Sequence, residues 1–207
     1  MKLNAEDGGN HKFIMAQLHE VCDEKSEAAK AGYRTICEIG EERIRRAGEK
    51  VREEVEAANA QLKLGEEPGR VPDNGFRVLK IDSSNFEDVY ATPEDASQQA
   101  LFNLADNLKP DRTSAGLLFE ALPAFQIPFS ATIERIDAAG FSAFDVDEGA
   151  LIACFDTGIT NDAITAMAKY EPSYCVIRDA SFADAAAAAN FEQIFKTLSL
   201  STLCKVI

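Results

Sequence analysis

Histidine, positive charge and long apolar runs are scarce in this sequence of 207 residues. The two histidines are His11 and His19, so a Ser-His-Asp or Cys-His arrangement would have to use one of them. The phosphate-binding patterns GxxxxGKS/T and GxGxxG do not occur. No apolar run reaches the roughly 18 residues of a membrane-spanning helix, and residues 1–13 lack the apolar core of a signal peptide. The residue pattern alone therefore indicates no catalytic site and no contact with a membrane.

Acidic residues outnumber basic ones by 35 to 21, which gives a formal net charge of −14. Proteins that bind DNA draw much of their affinity from clustered lysine and arginine, because these side chains release the counterions condensed on the phosphates. A chain with this charge balance is not expected to bind DNA by itself.

The cysteines are odd in number and widely spaced, and none belongs to a CxxC pair of the kind that holds zinc. We therefore expect no metal site and interpret them as reduced, mostly buried thiols of a cytoplasmic protein. They are Cys22, Cys37, Cys154, Cys175 and Cys204.

The most basic stretch, residues 37–56, has the pattern of an amphipathic helix. Its small and apolar positions recur every three or four residues, at Ile36, Gly40, Ile44, Ala47, Val51 and Val55. Glu41 lies four residues before Arg45, and Glu42 lies four residues before Arg46, which is the favourable order for pairs along a helix. Arg43, Arg46 and Lys50 would form a basic edge, but a self-neutralised, solvated face is favoured over a phosphate clamp.

The rest of the chain alternates strand and helix patterns, which predicts an α/β fold. Strands are predicted over 12–18, 76–82, 131–138, 141–147, 150–156, 173–180 and 202–207, and helices over 93–108, 114–125, 161–170 and 190–199. The third and fourth strands are expected to form a hairpin, and Thr113 or Ser114 to cap the helix that starts at 114.

Eight stretches together resemble, in this order, the C-terminal portion of the methylation subunits of type III restriction–modification systems. They are LNAEDGGNHKFIMAQLHE, AGYRTICEIGEERIRRAGEK, GFRVLKIDSSNF, DNLKPDRT, LLFEALPAF, GALIACFD, IRDASFAD and NFEQIFKTLS. The resemblance covers almost the whole chain. It implies S-adenosylmethionine-dependent DNA adenine-N6 methyltransferases that assemble with an ATP-dependent restriction subunit.

The resemblance also implies a division into two parts. Residues 1–92 would be the end of a Rossmann-like methyltransferase domain, with two strands and a long helix. Residues 93–207 would be a C-terminal α/β module with a mixed sheet. The acidity of that module argues against contact with DNA, and the resemblance implies that it supports assembly, either with a second methylation subunit or with the restriction subunit. Its apolar stretch 117–129 is the most plausible contact, although a buried core helix is the favoured interpretation.

The motifs that carry the chemistry in this family are not in the chain. Its catalytic Asp-Pro-Pro-Tyr motif and its Phe-x-Gly-x-Gly cofactor turn both belong upstream of this segment, and neither pattern occurs here. We therefore expect a C-terminal fragment that has no catalytic residues, is inactive alone, and reaches DNA only through the missing upstream half. Met1 would then be a cloning boundary, the start of a truncated gene or a natural start.

Three residues are carried over as candidates for contact with S-adenosylmethionine. The ends of the second and third strands face this cofactor in Rossmann-like methyltransferases, which assigns Gln17 and Glu20 to the ribose hydroxyls and Asp82 to the adenine ring. Half a cofactor pocket is expected to bind little or no cofactor. The alternative hypothesis is a stand-alone interaction protein derived from such a tail, which binds a partner subunit and needs no cofactor.

Overall fold

The computed structural model describes residues 1–63, 65–87 and 108–207. The chain forms two compact units, residues 1–80 and residues 81–207. The domain boundary expected after residue 92 and most of the helix expected over 93–108 fall on residues 88–107, outside the described residues, and stay predictions.

The first unit is built around one long helix. Helix α1 covers Lys2–Asp7, α2 covers Glu27–Lys30 and α3 covers Ile36–Asn59. The hydroxyl of Thr35 accepts a hydrogen bond from the backbone N–H of Glu38 and caps the start of α3. This confirms the helix predicted from residues 37–56.

The chain that follows α3 runs back along it in the opposite direction. Asn59 exchanges two hydrogen bonds with the backbone of Gly69, at 2.9 and 2.7 Å. Further on, the Asn74 side-chain amide donates to the carbonyl of Gly48 at 2.9 Å. From residue 59 to residue 48 the helix spans about 16 Å at 1.5 Å per residue. Five extended residues, from 69 to 74, cover about the same distance, so the returning segment is extended.

The two strands predicted over 12–18 and 76–82 do not form in the chain by itself. Neither segment belongs to a sheet, and the pairing within the described part of the first unit is the isolated bridge between Val21 and Thr35. A strand pattern describes how side chains alternate, but it does not supply the neighbouring strand that must accept and donate the backbone hydrogen bonds. Because neither segment has such a neighbour, most of their apolar side chains remain in solvent; Phe76 is half-buried, with the guanidinium of Arg45 5.6 Å from the centre of its ring.

The second unit contains a mixed five-stranded sheet in the order β1-β2-β3-β4-β5. The strands are β1 (Ile133–Ala138), β2 (Phe141–Val146), β3 (Leu151–Cys154), β4 (Tyr174–Ile177) and β5 (Leu203–Val206). Strands β1, β2 and β3 pair antiparallel, and β3, β4 and β5 pair parallel. This confirms the α/β class and the mixed sheet, and the five strands predicted after residue 130 all form.

The β1–β2 hairpin turns at two residues in the left-handed region, Ala139 with φ 54° and Gly140 with φ 90°. Two successive positive φ values match the twist of the flanking strands, which explains why the AAG sequence closes a hairpin.

Helices cover both faces of the sheet. Helix α4 (Ser114–Ala121) continues into a 3-10 turn (Leu122–Phe125) and packs on one face, with Leu117, Leu118 and Leu122 buried against β2, β3 and β4. Thr113 caps α4, as predicted, and the core interpretation of the stretch from residue 117 is confirmed for these three leucines.

The other face of the sheet is covered by α5 (Asn161–Ala168) and α6 (Ala185–Leu198). Met167, Phe191 and Phe195 are buried there against β3 and β4. The Ala-rich stretch 185–189 forms the first turns of α6, which the Asp184 carboxylate caps by accepting from the backbone N–H of Ala187 at 2.7 Å. In the described parts of the chain, no helix is long and apolar enough to span a bilayer.

Candidate functional site

Gln17 and Glu20, the predicted ribose contacts, lie in the irregular segment before α2. Both side chains are exposed, and the Gln17 amide donates to the carbonyl of the next residue, Leu18, at 3.3 Å. The backbone carbonyl of Glu20 accepts from the N–H of Ile36 at 3.0 Å and so anchors the start of α3. Because the segment forms no strand, it forms no strand end that would present these side chains to a ribose. Their cofactor role stays a prediction.

Asp82, the predicted adenine contact, is engaged in an ion pair. Its Oδ2 accepts from Nη1 of Arg112 at 2.8 Å, and its Oδ1 accepts from the backbone N–H of Ser83 at 2.7 Å. The hydrogen bond from Arg112, followed by the one from Ser83, lowers the pKa of Asp82 below its ordinary value. The carboxylate is therefore charged and bound to protein groups, and its role toward a cofactor also stays a prediction.

Asp82 belongs to a larger polar network, here called the polar clasp, that joins three parts of the second unit. Its members are Asp82, Ser83, Ser84, Asn85, Lys109, Arg112 and Glu120. They come from the SSNF stretch, the KPDRT stretch and helix α4, which are three of the stretches that carry the resemblance. Lys109 donates to the Ser83 hydroxyl at 2.9 Å and to the Ser84 carbonyl at 2.7 Å.

Glu120 is the acceptor at the centre of the polar clasp. It accepts from the Ser84 hydroxyl at 2.7 Å, from the backbone N–H of Asn85 at 3.0 Å, and from the Asn85 side-chain amide. Burial alone would raise the pKa of Glu120, but the hydrogen bonds from Ser84 and Asn85 outweigh it, so this pKa lies below its ordinary value. Asn85 approaches α4 closely because Gly116 has no side chain; a Cβ there would lie 3.1 Å from Asn85 Oδ1.

The polar clasp has the chemistry of a structural element. Its carboxylates are held by arginine, serine and asparagine donors, and its cations by carboxylate, hydroxyl and carbonyl oxygens. It contains no histidine or cysteine to serve as a base or nucleophile at neutral pH. The arrangement fastens residues 82–85 to α4.

The sequence indicated Asp82 but not its partners. Arg112 lies 30 positions later, and no local pattern connects the two. A signal for Glu120 was present, however: an acidic residue inside the apolar run LLFEALPAF has to find donors when that helix packs on a sheet.

The basic face of α3 is self-neutralised, as the sequence predicted. Arg45 pairs with Glu41 at 3.2 Å, and Nε of Arg46 pairs with Glu42 at 2.7 Å. Each predicted pair has formed with the acidic residue one turn before the basic one. Of the predicted edge residues, Arg46 is engaged with Glu42, and Nζ of Lys50 lies 4.0 Å from Oε1 of Glu54.

The other titratable candidates are also engaged or inert. Nε2 of His11 lies 2.8 Å from Oδ2 of Asp7, and this hydrogen bond lowers the pKa of Asp7. All five cysteines are free, and burial raises the pKa of Cys154 to about 11 and that of Cys175 well above its ordinary value. Such thiols are weak nucleophiles. Among the described residues, no cluster of three or more histidine, cysteine or carboxylate side chains could hold a metal ion.

The described residues do not fit S-adenosylmethionine as they are arranged here. Gln17 and Glu20 lie in an exposed, irregular segment, and Asp82 is bound to Arg112. Two open cavities, of about 310 and 380 Å³, lie at the ends of α5 and α6, and none of these three residues lines either of them.

Comparison with known proteins gives one informative match. No model of a known protein family matches the chain. The Mod subunit of the type III restriction-modification enzyme StyLTI of Salmonella typhimurium strain LT2 is 44% identical to it over 62 residues. The match covers 30% of this chain and 10% of that subunit, so the chain spans about a tenth of the length of the curated relative. The resemblance to type III methylation subunits is confirmed over that stretch.

Proposed function

We propose that this chain is a C-terminal part of a type III DNA adenine-N6 methyltransferase and that it does not transfer methyl groups by itself. The observation that carries the proposal is the 44% identity to a type III Mod subunit. The chain would complete the methyltransferase domain with its first unit and serve assembly with its second. The catalytic motif and the main cofactor loop would come from the upstream part of the subunit, and the enzyme would act on DNA in the cytoplasm.

The segments 12–18 and 76–82, which pair with no strand among the described residues, support this assignment. Ile14 is 98% exposed, and Phe13, Met15 and Leu18 are each more than half exposed. Val78 and Leu79 are also exposed, in a segment that runs extended after α3. Apolar side chains of this size lower the free energy by roughly 1.5–3 kcal/mol each when they are fully buried. Two strand-patterned segments left in solvent are what the end of a sheet looks like when its neighbouring strands are absent.

The charge distribution supports an assembly role for the second unit. Residues 81–207 carry 19 carboxylates and 7 basic residues, a net charge of −12, whereas residues 1–80 carry 16 and 14, a net charge of −2. A unit of charge −12 repels the phosphate backbone. It is suited instead to contact a protein partner, and we propose the restriction subunit or a second methylation subunit.

Fragment complementation tests the proposal. The StyLTI Mod subunit would be produced without the part that aligns with this chain, and this chain would be supplied separately in the same cell. We expect neither part alone to methylate adenine or to bind S-adenosylmethionine tightly, and the two together to restore methylation of StyLTI sites. Methylation is read by protection of the DNA and by mass spectrometry of N6-methyladenine.

Two variants test whether complementation depends on the segments 12–18 and 76–82. Ile14→Asp and Val78→Asp place a charge where a strand would meet its neighbour, so each should prevent complementation. Ala57→Asp adds the same charge to an exposed position of α3 and should leave complementation intact. Association without restored methylation would favour the stand-alone interaction protein. Absence of association would contradict both assignments.

A further inference from the structure

Among the described residues, the outer edge of β5 has no neighbouring strand, so backbone groups along it are left unpaired. Strand β5 ends the sheet, with β4 on its inner side. The backbone N–H of Leu203 donates to the carbonyl of Ser173, and that of Ile207 donates to the carbonyl of Ile177. Because the backbone groups of a strand alternate in direction, those of Cys204 and Val206 point away from β4. This edge can therefore accept another strand.

Apolar side chains gather around this edge. Leu200 is 84% exposed, Leu203 is 62% exposed, and Leu198 and Val206 are each almost half exposed. These four residues lie within nine positions of one another, at the end of α6 and along β5. An open groove of about 380 Å³ is lined by Glu171 and by 198–201, which include Leu198 and Leu200 but neither Leu203 nor Val206. Exposed apolar patches next to a free sheet edge mark interaction sites.

The opposite edge of the sheet is protected, which makes the exposure of β5 a specific feature. Strand β1 presents Glu134 and Asp137 to solvent, and charges of this kind discourage pairing with another strand. Lys205 is the single charged residue of β5, and its side chain does not discourage another strand from pairing at the edge. Its Nζ lies 5.4 Å from the centre of the Phe125 ring, over one face of the sheet.

The negative charge of the second unit indicates which kind of segment binds at the outer edge of β5. Two copies meeting at this edge would bring together two units of charge −12, and such like charges oppose association. Glu171 lies on the wall of the groove and would attract a positive side chain. We propose that the outer edge of β5 is a docking site for an extended apolar segment of another protein that carries lysine or arginine at its ends. The segment adds a sixth strand by backbone hydrogen bonds to Cys204 and Val206, and its apolar side chains pack on Leu200 and Leu203.

A peptide of defined chemistry tests this site with the whole chain. The probe is a short fluorescein-labelled peptide of alternating valine and threonine with a lysine at each end, and its binding is measured by fluorescence anisotropy. A second peptide has glutamate at each end. A third keeps the lysines but carries N-methyl groups on alternate backbone amides, so it cannot form the ladder of hydrogen bonds. We expect the lysine peptide to bind and the other two to bind at least about tenfold more weakly.

Substitutions locate the binding on the chain. Leu200→Ser combined with Leu203→Ser should weaken the lysine peptide about tenfold. Val206→Pro should act similarly, because it removes an outward N–H without removing a bond to β4. Leu3→Ser, the same change at an exposed leucine of helix α1, should leave binding unchanged. The comparison between the lysine peptide and its N-methylated form uses the unsubstituted chain, so it tests the site even if a variant fails to fold.

Three results would overturn the proposal. The first is binding that is equal for the three peptides. The second is binding that the Leu200 and Leu203 substitutions do not change. The third is a dimer of this chain in sedimentation velocity that the same substitutions dissociate, because the occupant would then be a second copy. The proposal concerns only the second unit and does not depend on whether the first unit completes a methyltransferase.

Discussion

At the scale of single residues, hydrogen bonds from a few side chains hold each unit together. In the second unit, Glu120 gathers three donors from residues 84 and 85. In the first unit, two asparagines fasten the returning segment to α3. Asn74 of the segment donates to the backbone carbonyl of Gly48, and Asn59 of the helix accepts from the backbone N–H of Gly69. These side chains supply hydrogen bonds that the helices and the sheet do not provide.

The first prediction concerns Glu120. Its pKa is lower in the folded protein than its ordinary value of 4.5, so the charged carboxylate stabilises the fold at neutral pH. This stabilisation is present above pH 4.5 and is lost as the pH falls through the lowered folded pKa. Glu120→Gln should cost about 0.5–1 kcal/mol at pH 7, since the group is exposed and its hydrogen bonds are partly screened. Urea denaturation at pH 7 and at successively lower pH should show the difference disappearing, and a difference independent of pH would contradict it.

The second prediction compares two glycines of α3. A Cβ at Gly48 would lie 3.0 Å from the Cβ of Asn74, whereas nothing lies within 4 Å of a Cβ at Gly40. Gly40→Ala should stabilise the first unit by about 0.5–1 kcal/mol, because alanine favours the helix. Gly48→Ala should destabilise it despite the same gain in helix propensity, because Asn74 must move and lengthen its hydrogen bond to residue 48. Denaturant titrations of both variants check this, and stabilisation by Gly48→Ala would show that the returning segment is not held there.

At the scale of secondary structure elements, the sequence predicted the second unit well and the first unit only in part. Each strand after residue 130 has its neighbour nearby in the chain, so alternation of side chains was enough to locate it. The segment 76–82 shows the same alternation, and 12–18 has the apolar run of a short buried strand, but no neighbouring strand in the first unit pairs with them among the described residues. For the site, Asp82 was found from its position after a strand pattern. Arg112 could not be found because their contact joins residues 30 apart.

The third prediction concerns the start of α6. Its first residues are alanines, which favour a helix but bury little apolar surface, so the cap at Asp184 should determine whether this turn forms. Asp184→Ala should cost about 1 kcal/mol and speed hydrogen exchange over residues 185–189. Asp184→Asn retains an acceptor and should behave nearly as the unsubstituted protein. Unchanged exchange in Asp184→Ala would mean that packing of Ala187 alone maintains the turn.

At the scale of the whole molecule, charge and exposed apolar surface divide the chain into two kinds of surface. The first unit is nearly neutral and exposes two strand-patterned apolar segments, whereas the second unit carries most of the negative charge around a well-packed sheet. The acidic surface of the second unit disfavours contact with DNA and favours contact with protein partners.

The fourth prediction follows from this charge. The chain alone should show no binding to duplex DNA at physiological ionic strength in a fluorescence anisotropy titration, because its net charge is −14 and Arg45 and Arg46 of α3 are paired with glutamates. Neutralising those partners in the double variant Glu41→Gln, Glu42→Gln should leave DNA binding weak, since the chain as a whole stays acidic. Micromolar binding by the unsubstituted chain would contradict the assignment of DNA contact to another part of the enzyme.

The central claim is that the segments 12–18 and 76–82 become strands when the rest of a methyltransferase sheet is present. Hydrogen exchange with mass spectrometry tests it directly, on the chain alone and in complex with the StyLTI Mod subunit that lacks the aligned part. We predict that both segments exchange rapidly in the free chain and become protected in the complex, while β3 and β4 are protected in both states. Equal, rapid exchange of the two segments in a stable complex would contradict the account.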